Sequence, residues 1–121
     1  MVLFEVAKLI KKGCRVTDTV VRYGGEEFAL ILPDTNAAGA HVVAERIRQS
    51  VEEMSLVLVD GNHLKTTISI GVATRKTFSG VAEDILSEAD QALYKAKQNG
   101  RNQTVIYSTI LDSTHVIKKV V

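Results

Sequence analysis

Residues 19–32 read TVVRYGGEEFALIL, and this stretch decides the first half of the fold. The runs Thr19–Tyr23 and Phe28–Leu32 are rich in the β-branched, aromatic and aliphatic residues that favour strands. Gly24–Gly25 between them predicts a tight hairpin with a type I′ turn, because that turn needs positive φ at both central residues. Glu26–Glu27 follow directly. Two carboxylates at a hairpin tip fit either a solvated turn or a site for Mg²⁺ and phosphate, since Mg²⁺ prefers carboxylate oxygens.

The size and composition of the chain indicate one globular domain. It has 121 residues, 45% of them hydrophobic, and a net charge of +1, so charge alone predicts no affinity for a nucleic-acid polymer. No apolar run is long enough to span a bilayer, and Met1–Val6 lacks the features of a signal peptide. The single Cys14 cannot form an internal disulfide, which is compatible with a cytoplasmic location. The three histidines have no metal-ligand spacing; they are His41, His63 and His115.

The remaining pattern predicts helices interleaved with strands. Apolar residues recur with helical spacing in Val2–Lys12 and again after the candidate N-cap Asn36. Further elements are predicted in this order: a helix ending near Glu53, a strand Ser55–Asp60, a turn at Gly61–Asn62 into a hairpin over Leu64–Thr74, a helix Val81–Gln98 and a strand Gln103–Tyr107. The order does not repeat a simple strand–helix–strand unit, so it predicts an α+β fold with helices on an antiparallel-rich sheet.

The segment after Tyr107 is ambiguous. Residues 108–121 are apolar, and they are compatible with an extra strand, with a partner contact or with partial disorder.

Four motifs in order resemble one family, the GGDEF-domain diguanylate cyclases, in its GGEEF form. They are RYGGEEF (Arg22–Phe28), TISIGVA (Thr67–Ala73), ADQALYKAK (Ala89–Lys97) and QNGRN (Gln98–Asn102). The resemblance implies a fold like that of nucleotide cyclases and polymerase palms. It divides the chain into a partial GGDEF domain, residues 1–107, and a C-terminal tail, residues 108–121.

The resemblance also implies a chemistry of bacterial signal transduction. Two GTP molecules on two facing domains of a homodimer would become cyclic di-GMP and pyrophosphate, with Mg²⁺ or Mn²⁺ on the phosphates. Glu26 and Glu27 match the family's catalytic and metal-binding acids. Gly24–Gly25 match the glycines beside the nucleotide, and Lys97 and Arg101 match its phosphate-binding cations. From the residues alone, the two cations are better explained as caps of a helix C-terminus, and only the other motifs favour phosphate contact.

A second site follows from the same resemblance. Arg15 and Asp18 form an R-x-x-D motif like the family's inhibitory site for cyclic di-GMP, and Arg46 matches its second basic contact. An arginine side chain can bond guanine edges and phosphates with two parallel bonds. The alternative is an ordinary surface ion pair.

The pattern is incomplete at its start. In the family, a first strand supplies a metal-binding Asp and residues that bind phosphate and guanine, and this sequence has no counterpart to it. The isolated chain is therefore expected to be an impaired enzyme. That strand is normally central in the sheet, so its absence would leave the edges of other strands exposed. A dimer, strand exchange or the tail Val116–Val121 could cover them.

Three functions remain open from the sequence. The acids favour a diguanylate cyclase domain. The incomplete active site beside Arg15, Asp18 and Arg46 favours a non-catalytic receptor for cyclic di-GMP. The uncovered sheet edge favours an interaction module that dimerises and binds no nucleotide.

Overall fold

The computed structural model of the protein describes residues 2–23, 27–75, 82–107 and 114–120. These residues form three helices and seven strands. In order they are α1 (Val2–Lys12), β1 (Thr19–Tyr23), β2 (Glu27–Pro33), α2 (Ala37–Glu53), β3 (Leu56–Val57), β4 (His63–Leu64), β5 (Ser69–Arg75), α3 (Ala82–Gln98), β6 (Thr104–Ile106) and β7 (Thr114–Val120).

The main sheet has five strands in the order β1-β2-β7-β5-β6. Every neighbouring pair in it is antiparallel except β5 and β6, which are parallel. Strands β3 and β4 form a separate two-stranded sheet. The predicted α+β class with an antiparallel-rich sheet flanked by helices is confirmed. In the part of the chain described, no helix has both the length and the hydropathy to cross a membrane.

The C-terminal strand β7 lies in the middle of the sheet. All seven of its residues pair with β2 on one side and with β5 on the other. Thr114 stands opposite Pro33 and Arg75, and Val120 stands opposite Glu27 and Ser69. Three ways to cover the open strand edges were proposed, and in the structure it is the C-terminal tail that covers them.

Helices pack on both faces of this sheet. On one face, α1 and α2 cover Leu30, Leu32 and Ile70, all fully buried. On the other face, α3 covers Ala73 and Ile31. The alternation follows from strand geometry, because successive side chains point to opposite faces.

Gly71 sets the distance between α3 and the sheet. A Cβ at this position would lie 2.2 Å from the carbonyl oxygen of Ala89 and 2.3 Å from the amide nitrogen of Leu93. Only glycine therefore allows the helix backbone to lie this close to β5.

The helix boundaries agree with their predicted signals. Gly13 follows α1, and its amide bonds the carbonyl oxygens of Leu9 and Ile10. The side chain of Asn36 caps α2 by accepting a hydrogen bond from the amide of Gly39. Local capping chemistry thus fixes both boundaries.

Two strand predictions are wrong in extent. The predicted strand Ser55–Asp60 shortens to Leu56–Val57, and Leu64–Thr74 is not one hairpin. Its first residue belongs to the small sheet, and residues 65–68 separate it from β5. A continuous β-type pattern gave no sign that the chain changes sheets.

The hairpin forms with a longer connection than predicted. Tyr23 pairs with Glu27, so three residues, 24–26, join the strands. A two-residue turn of Gly24–Gly25 would have paired Tyr23 with Glu26 instead. Residues 24–26 themselves lie outside the described chain.

Candidate functional site at one end of the sheet

The sheet register brings the acidic end of the hairpin and the C-terminal end of α3 to the same end of the sheet. Glu27, the first residue of β2, pairs with Val120, and Val120 pairs with Ser69 at the start of β5. The residue after Ser69, Ile70, pairs with Thr104 at the start of β6. Three strand spacings of about 4.8 Å each separate β2 from β6, so the acid lies roughly 14 Å across the sheet from the turn that follows α3.

Glu27 is the one acid of the predicted pair that the structure describes. It is half-buried and begins β2. Gly24, Gly25 and Glu26, which the sequence assigned to substrate, catalysis and metal, lie outside the described residues.

The end of α3 is a Schellman-type turn. The amide of Gly100 bonds the carbonyl of Lys97 at 3.4 Å, and the amide of Arg101 bonds the carbonyl of Ala96 at 2.9 Å. Gly100 takes φ 112°, a conformation that glycine adopts at little cost. This turn ends the helix and lets the chain enter β6.

Lys97 and Arg101 bracket that turn. Lys97 is half-buried and Arg101 is exposed. Within the described part of the chain, neither side chain has a hydrogen bond or an ion pair. Both predicted phosphate-binding cations therefore remain available to a ligand at the same end of the sheet as Glu27.

The R-x-x-D motif forms a closed turn at the opposite end of the β1–β2 hairpin. The carboxylate of Asp18 accepts a 2.7 Å bond from the amide of Arg15 and lies 3.3 Å from its guanidinium. Asp18 is 1% exposed and Arg15 is 55% exposed at their side chains. The same guanidinium donates to the carbonyl of Pro33 at 3.1 Å and to the hydroxyl of Thr35 at 2.5 Å. In this structure, Arg15 thus binds the chain itself.

Arg46 reaches the same loop from α2. Its guanidinium donates a 2.9 Å bond to the carbonyl of Gly13. The predicted trio is only partly joined, because Arg15 and Asp18 bond each other while Arg46 bonds neither of them.

Two separate cavities flank this loop. One of about 530 Å³ is lined by Arg15 and Asp18 together with Lys11 and Arg22. The other, of about 210 Å³, is lined by Arg46. The larger cavity has the cationic lining that an anion requires.

Cys14 also lines the larger cavity. Burial raises the pKa of its thiol, and the carboxylate of Asp18 raises it further, while Arg46 opposes the shift. The thiol is therefore protonated at neutral pH, where it is a poor nucleophile.

Sequence reasoning missed a polar network between α2 and the turn after α3. Arg48 grips the carboxylate of Glu45 with two bonds, of 2.7 and 2.9 Å, and donates a third to Asn102 at 2.9 Å. The hydrogen bond from Arg48 lowers the pKa of Glu45, and a 2.8 Å bond from Thr104 adds to the effect. The spacing of Glu45 and Arg48 is a readable helix pair, but their distant partners left no local signal.

Comparisons with known proteins agree with this architecture. The family model described as "Diguanylate cyclase, GGDEF domain" matches residues 1–103. Diguanylate cyclase A of Treponema denticola is 51% identical over 106 residues, which are 88% of this chain and 28% of that protein.

Two solved structures are similar in both fold and sequence. The active GGEEF domain of a diguanylate cyclase from Vibrio cholerae superposes with a TM-score of 0.76 at 36% identity, over 90% of this chain and 68% of that one. The GGDEF domain of DgcB from Caulobacter crescentus, solved in complex with c-di-GMP, gives 0.83 at 31% identity, over 89% and 64%.

The chain spans roughly a quarter of the length of the curated relatives it matches, between 23% and 28%. The family model nevertheless covers most of the chain, and the sheet order, the hairpin and the α3 turn occur together in one fold. The chain therefore belongs to the GGDEF domain family of diguanylate cyclases.

Proposed function

We propose that this chain carries the GTP-condensing function of a diguanylate cyclase, acting as one half of a dimer. Each 3′-hydroxyl oxygen of GTP forms a bond to the α-phosphorus of the other GTP, and the bond from that phosphorus to the β-phosphate oxygen breaks. Pyrophosphate leaves, and the hydroxyl proton passes to a carboxylate. The observation that supports this proposal is the shared end of the sheet, where Glu27 begins β2 and where Lys97 and Arg101 bracket the turn after α3. Within the described chain, the side chains of Lys97 and Arg101 have no hydrogen bond or ion pair.

Each residue has a role that its chemistry suits. The cations Lys97 and Arg101 would bind the polyphosphate, with the arginine as a two-pronged donor and the lysine as a point charge. Glu26 would hold the metal ion, and Glu27 or Glu26 would help to hold it or would take the hydroxyl proton. The absence of a Cβ at Gly24 and Gly25 would leave room for the nucleotide.

The donor set suits Mg²⁺ or Mn²⁺ bound together with its substrate. Among the described residues, no group of three or more His, Cys, Asp and Glu could hold an ion. Mg²⁺ is usually bound by one or two carboxylates together with substrate phosphates, and Glu27 with the adjacent Glu26 supplies that number. When bound, the ion would neutralise negative charge on the phosphates.

The test combines nucleotide binding with product detection. Purified chain is titrated calorimetrically with GTP and Mg²⁺, and the mixtures are then chromatographed for cyclic di-GMP. We expect Glu27→Gln to weaken Mg²⁺-dependent binding and to abolish any product, whereas the exposed Glu53→Gln leaves both unchanged. Binding is expected to be the more sensitive readout, because it needs one copy of the chain whereas product formation needs two. Absence of GTP binding, or product that survives Glu27→Gln, would overturn the proposal.

A second candidate function is supported by the cavity beside Arg15. This cavity has a volume of about 530 Å³ and is lined by three cations and the buried carboxylate of Asp18. A carboxylate can accept hydrogen bonds from guanine N–H groups. This arrangement suits cyclic di-GMP as a regulatory ligand that inhibits the cyclase, or as the sole ligand of a receptor.

Calorimetry with cyclic di-GMP separates these outcomes. We expect binding that Asp18→Asn weakens and that Glu53→Gln does not change. Lack of binding by the unmodified chain, or binding indifferent to Asp18→Asn, would exclude the site. Binding in a chain that also binds GTP favours inhibition, and binding in a chain that does not favours the receptor.

A further inference from the structure

The turn after α3 has an unusual backbone. Gly100, Arg101 and Asn102 follow one another with φ of 112°, 64° and 48°. The left-handed region is accessible to glycine but costs free energy for other residues. Two successive non-glycine residues in that region persist only where their surroundings hold them there.

Asn102 is held by groups from two other elements. Its amide nitrogen bonds the hydroxyl of Ser69 on β5 at 3.1 Å. Its side-chain oxygen accepts a 2.9 Å bond from Arg48, and its side-chain nitrogen donates to the carboxylate of Glu52. Both partners of the side chain lie on α2, 54 and 50 residues earlier in the sequence.

Arg48 is itself fixed in place. Its side chain is 13% exposed, and Glu45 grips it through two hydrogen bonds. The carboxylate of Glu45 also accepts a bond from Thr104, two residues after Asn102. We call Arg48, Glu52 and Asn102 the α2 clamp. Because Glu45 bonds both Arg48 and Thr104, the α2 clamp cannot shift without breaking further hydrogen bonds.

Arg101 differs from the residues around it. Its backbone is fixed by the bond to Ala96 on one side and by the clamped Asn102 on the other. Its guanidinium is exposed and has no bond within the described chain. A fixed backbone below a free cationic side chain reduces the entropy lost on binding, because only the side-chain rotamers remain to be ordered.

We propose that the α2 clamp positions Arg101 for binding the polyphosphate of a nucleotide, so that Arg48 and Asn102 are positioning residues for this site. The proposal rests on the proposed function, because it takes the ligand to be a nucleoside triphosphate. A guanidinium bonds a phosphate through two parallel hydrogen bonds, so its affinity depends on orientation. A backbone that relaxes out of the left-handed region turns the side chain away from that orientation.

The test uses a double-mutant cycle on the full chain. Asn102→Gly removes the clamp bonds of the side chain, and glycine still accepts the left-handed conformation. The probe is fluorescently labelled GTP with Mg²⁺, and the readout is Kd by anisotropy. We expect Arg101→Ala to weaken binding about tenfold, as for the loss of a charge-assisted bond, and Asn102→Gly to weaken it several-fold. The double variant should bind no more weakly than Arg101→Ala alone, because the clamp acts through Arg101.

The control is Asn99→Ala, which removes an amide side chain from the same turn without breaking a clamp bond. Its Kd should equal that of the unmodified chain. An Asn102→Gly variant that binds like the unmodified chain while Arg101→Ala is weakened would overturn the clamp proposal. Independent effects of Asn102→Gly and Arg101→Ala in the cycle would also overturn it.

A second measurement needs no ligand. Hydrogen exchange of the Arg101 amide reports how firmly the turn is held, and Arg48→Ala breaks the clamp without changing the sequence of the turn. We expect about tenfold faster exchange at Arg101 with unchanged exchange at Leu93 in the middle of α3. An unchanged rate at Arg101 would overturn the clamp. Absence of GTP binding by the unmodified chain would instead overturn the proposed function, and the exchange rate would still report separately on the clamp.

Discussion

The two ends of the main sheet use arginine in opposite ways. At the Pro33 end, the guanidinium of Arg15 bonds a carbonyl, a hydroxyl and a carboxylate of its own chain. The Glu27 end lies about 20 Å away along β2. At that end of the sheet, beside β6, the guanidinium of Arg101 has no partner in the described chain, while its backbone is held on both sides. The first arginine stabilises a loop, and the second is available to a ligand.

This difference changes how a binding experiment must be read. Replacing Arg15 removes bonds that hold the loop before β1, so a loss of ligand binding there has two possible causes. Replacing Arg101 removes no bond of the described chain, so a loss of binding there reports on the ligand. The two ends are joined by β7, which pairs with β2 along its whole length.

Removing residues 108–121 is expected to have the largest effect, because it destroys both ends together. The truncated chain loses β7, leaving β2 and β5 with unpaired edges inside the sheet. We expect a loss comparable with the whole stability of such a domain, about 5–15 kcal/mol, measured by urea unfolding with circular dichroism. Deleting Val121 alone is the control. A truncated chain that is monomeric by light scattering and unfolds at the original midpoint would contradict the central role of β7.

The next largest effect is expected from Gly71→Ala, which should weaken ligand binding at one end of the sheet and not at the other. The added Cβ would press on the backbone of α3 at Ala89 and Leu93, and overpacking of this kind costs about 1–3 kcal/mol or more. The displaced helix carries Lys97, so nucleotide binding should weaken while binding of cyclic di-GMP beside Arg15 persists.

The control for that substitution is Gly61→Ala. Gly61 has positive φ, 87°, and a Cβ there meets no atom within 4 Å. It should cost only the backbone strain, about 1 kcal/mol, and leave nucleotide binding unchanged. Equal losses of stability in the two variants, measured by urea unfolding, would show that α3 does not depend on close contact with β5.

The sequence predicted those parts of the fold that local chemistry determines. The hairpin β1–β2 and the three helices follow from periodicity and from caps such as Asn36 and Gly13. For β7 the sequence offered the tail only as one of three possible covers for the open edges, because the strand pairs with β2 residues more than 80 positions away along the chain, as in Glu27 with Val120. Its position depends on which strand edges remain open once the other strands have paired, and local propensity does not encode this.

The candidate site divides in the same way. Glu27, Lys97 and Arg101 were identified from motifs, and the register gives them a common sheet edge. The clamp on Asn102 escaped notice because its partners on α2 are 50 and 54 residues distant. Gly24, Gly25 and Glu26 lie outside the described residues, so their roles remain predictions.

A smaller effect separates the two arginines directly. Arg15→Ala should lower stability by about 1–2 kcal/mol, a modest value because its side chain is half exposed although it bonds three acceptors. Arg101→Ala should change stability by less than about 0.5 kcal/mol. Urea unfolding of both variants measures the difference. A loss at Arg101 equal to that at Arg15 would mean that the guanidinium of Arg101 also supports the fold, and the contrast between the two ends would fail.

The smallest effect is expected from pH, and it concerns Glu45, whose carboxylate bonds Arg48 of the α2 clamp. The pKa of Glu45 is lowered from its ordinary value of 4.5, first by its hydrogen bond with Arg48 and then by Thr104. A carboxyl group with a depressed pKa in the folded state contributes stability that is complete above the unfolded pKa and is lost as pH falls through the folded pKa. Stability should therefore decline below about pH 4.5, more steeply in the unmodified chain than in Glu45→Gln. Glu53→Gln, at an exposed position of the same helix, should retain the steeper decline. Identical acid limbs for the Glu45→Gln and unmodified chains in urea unfolding would mean that the pair of Glu45 with Arg48 adds no net stability.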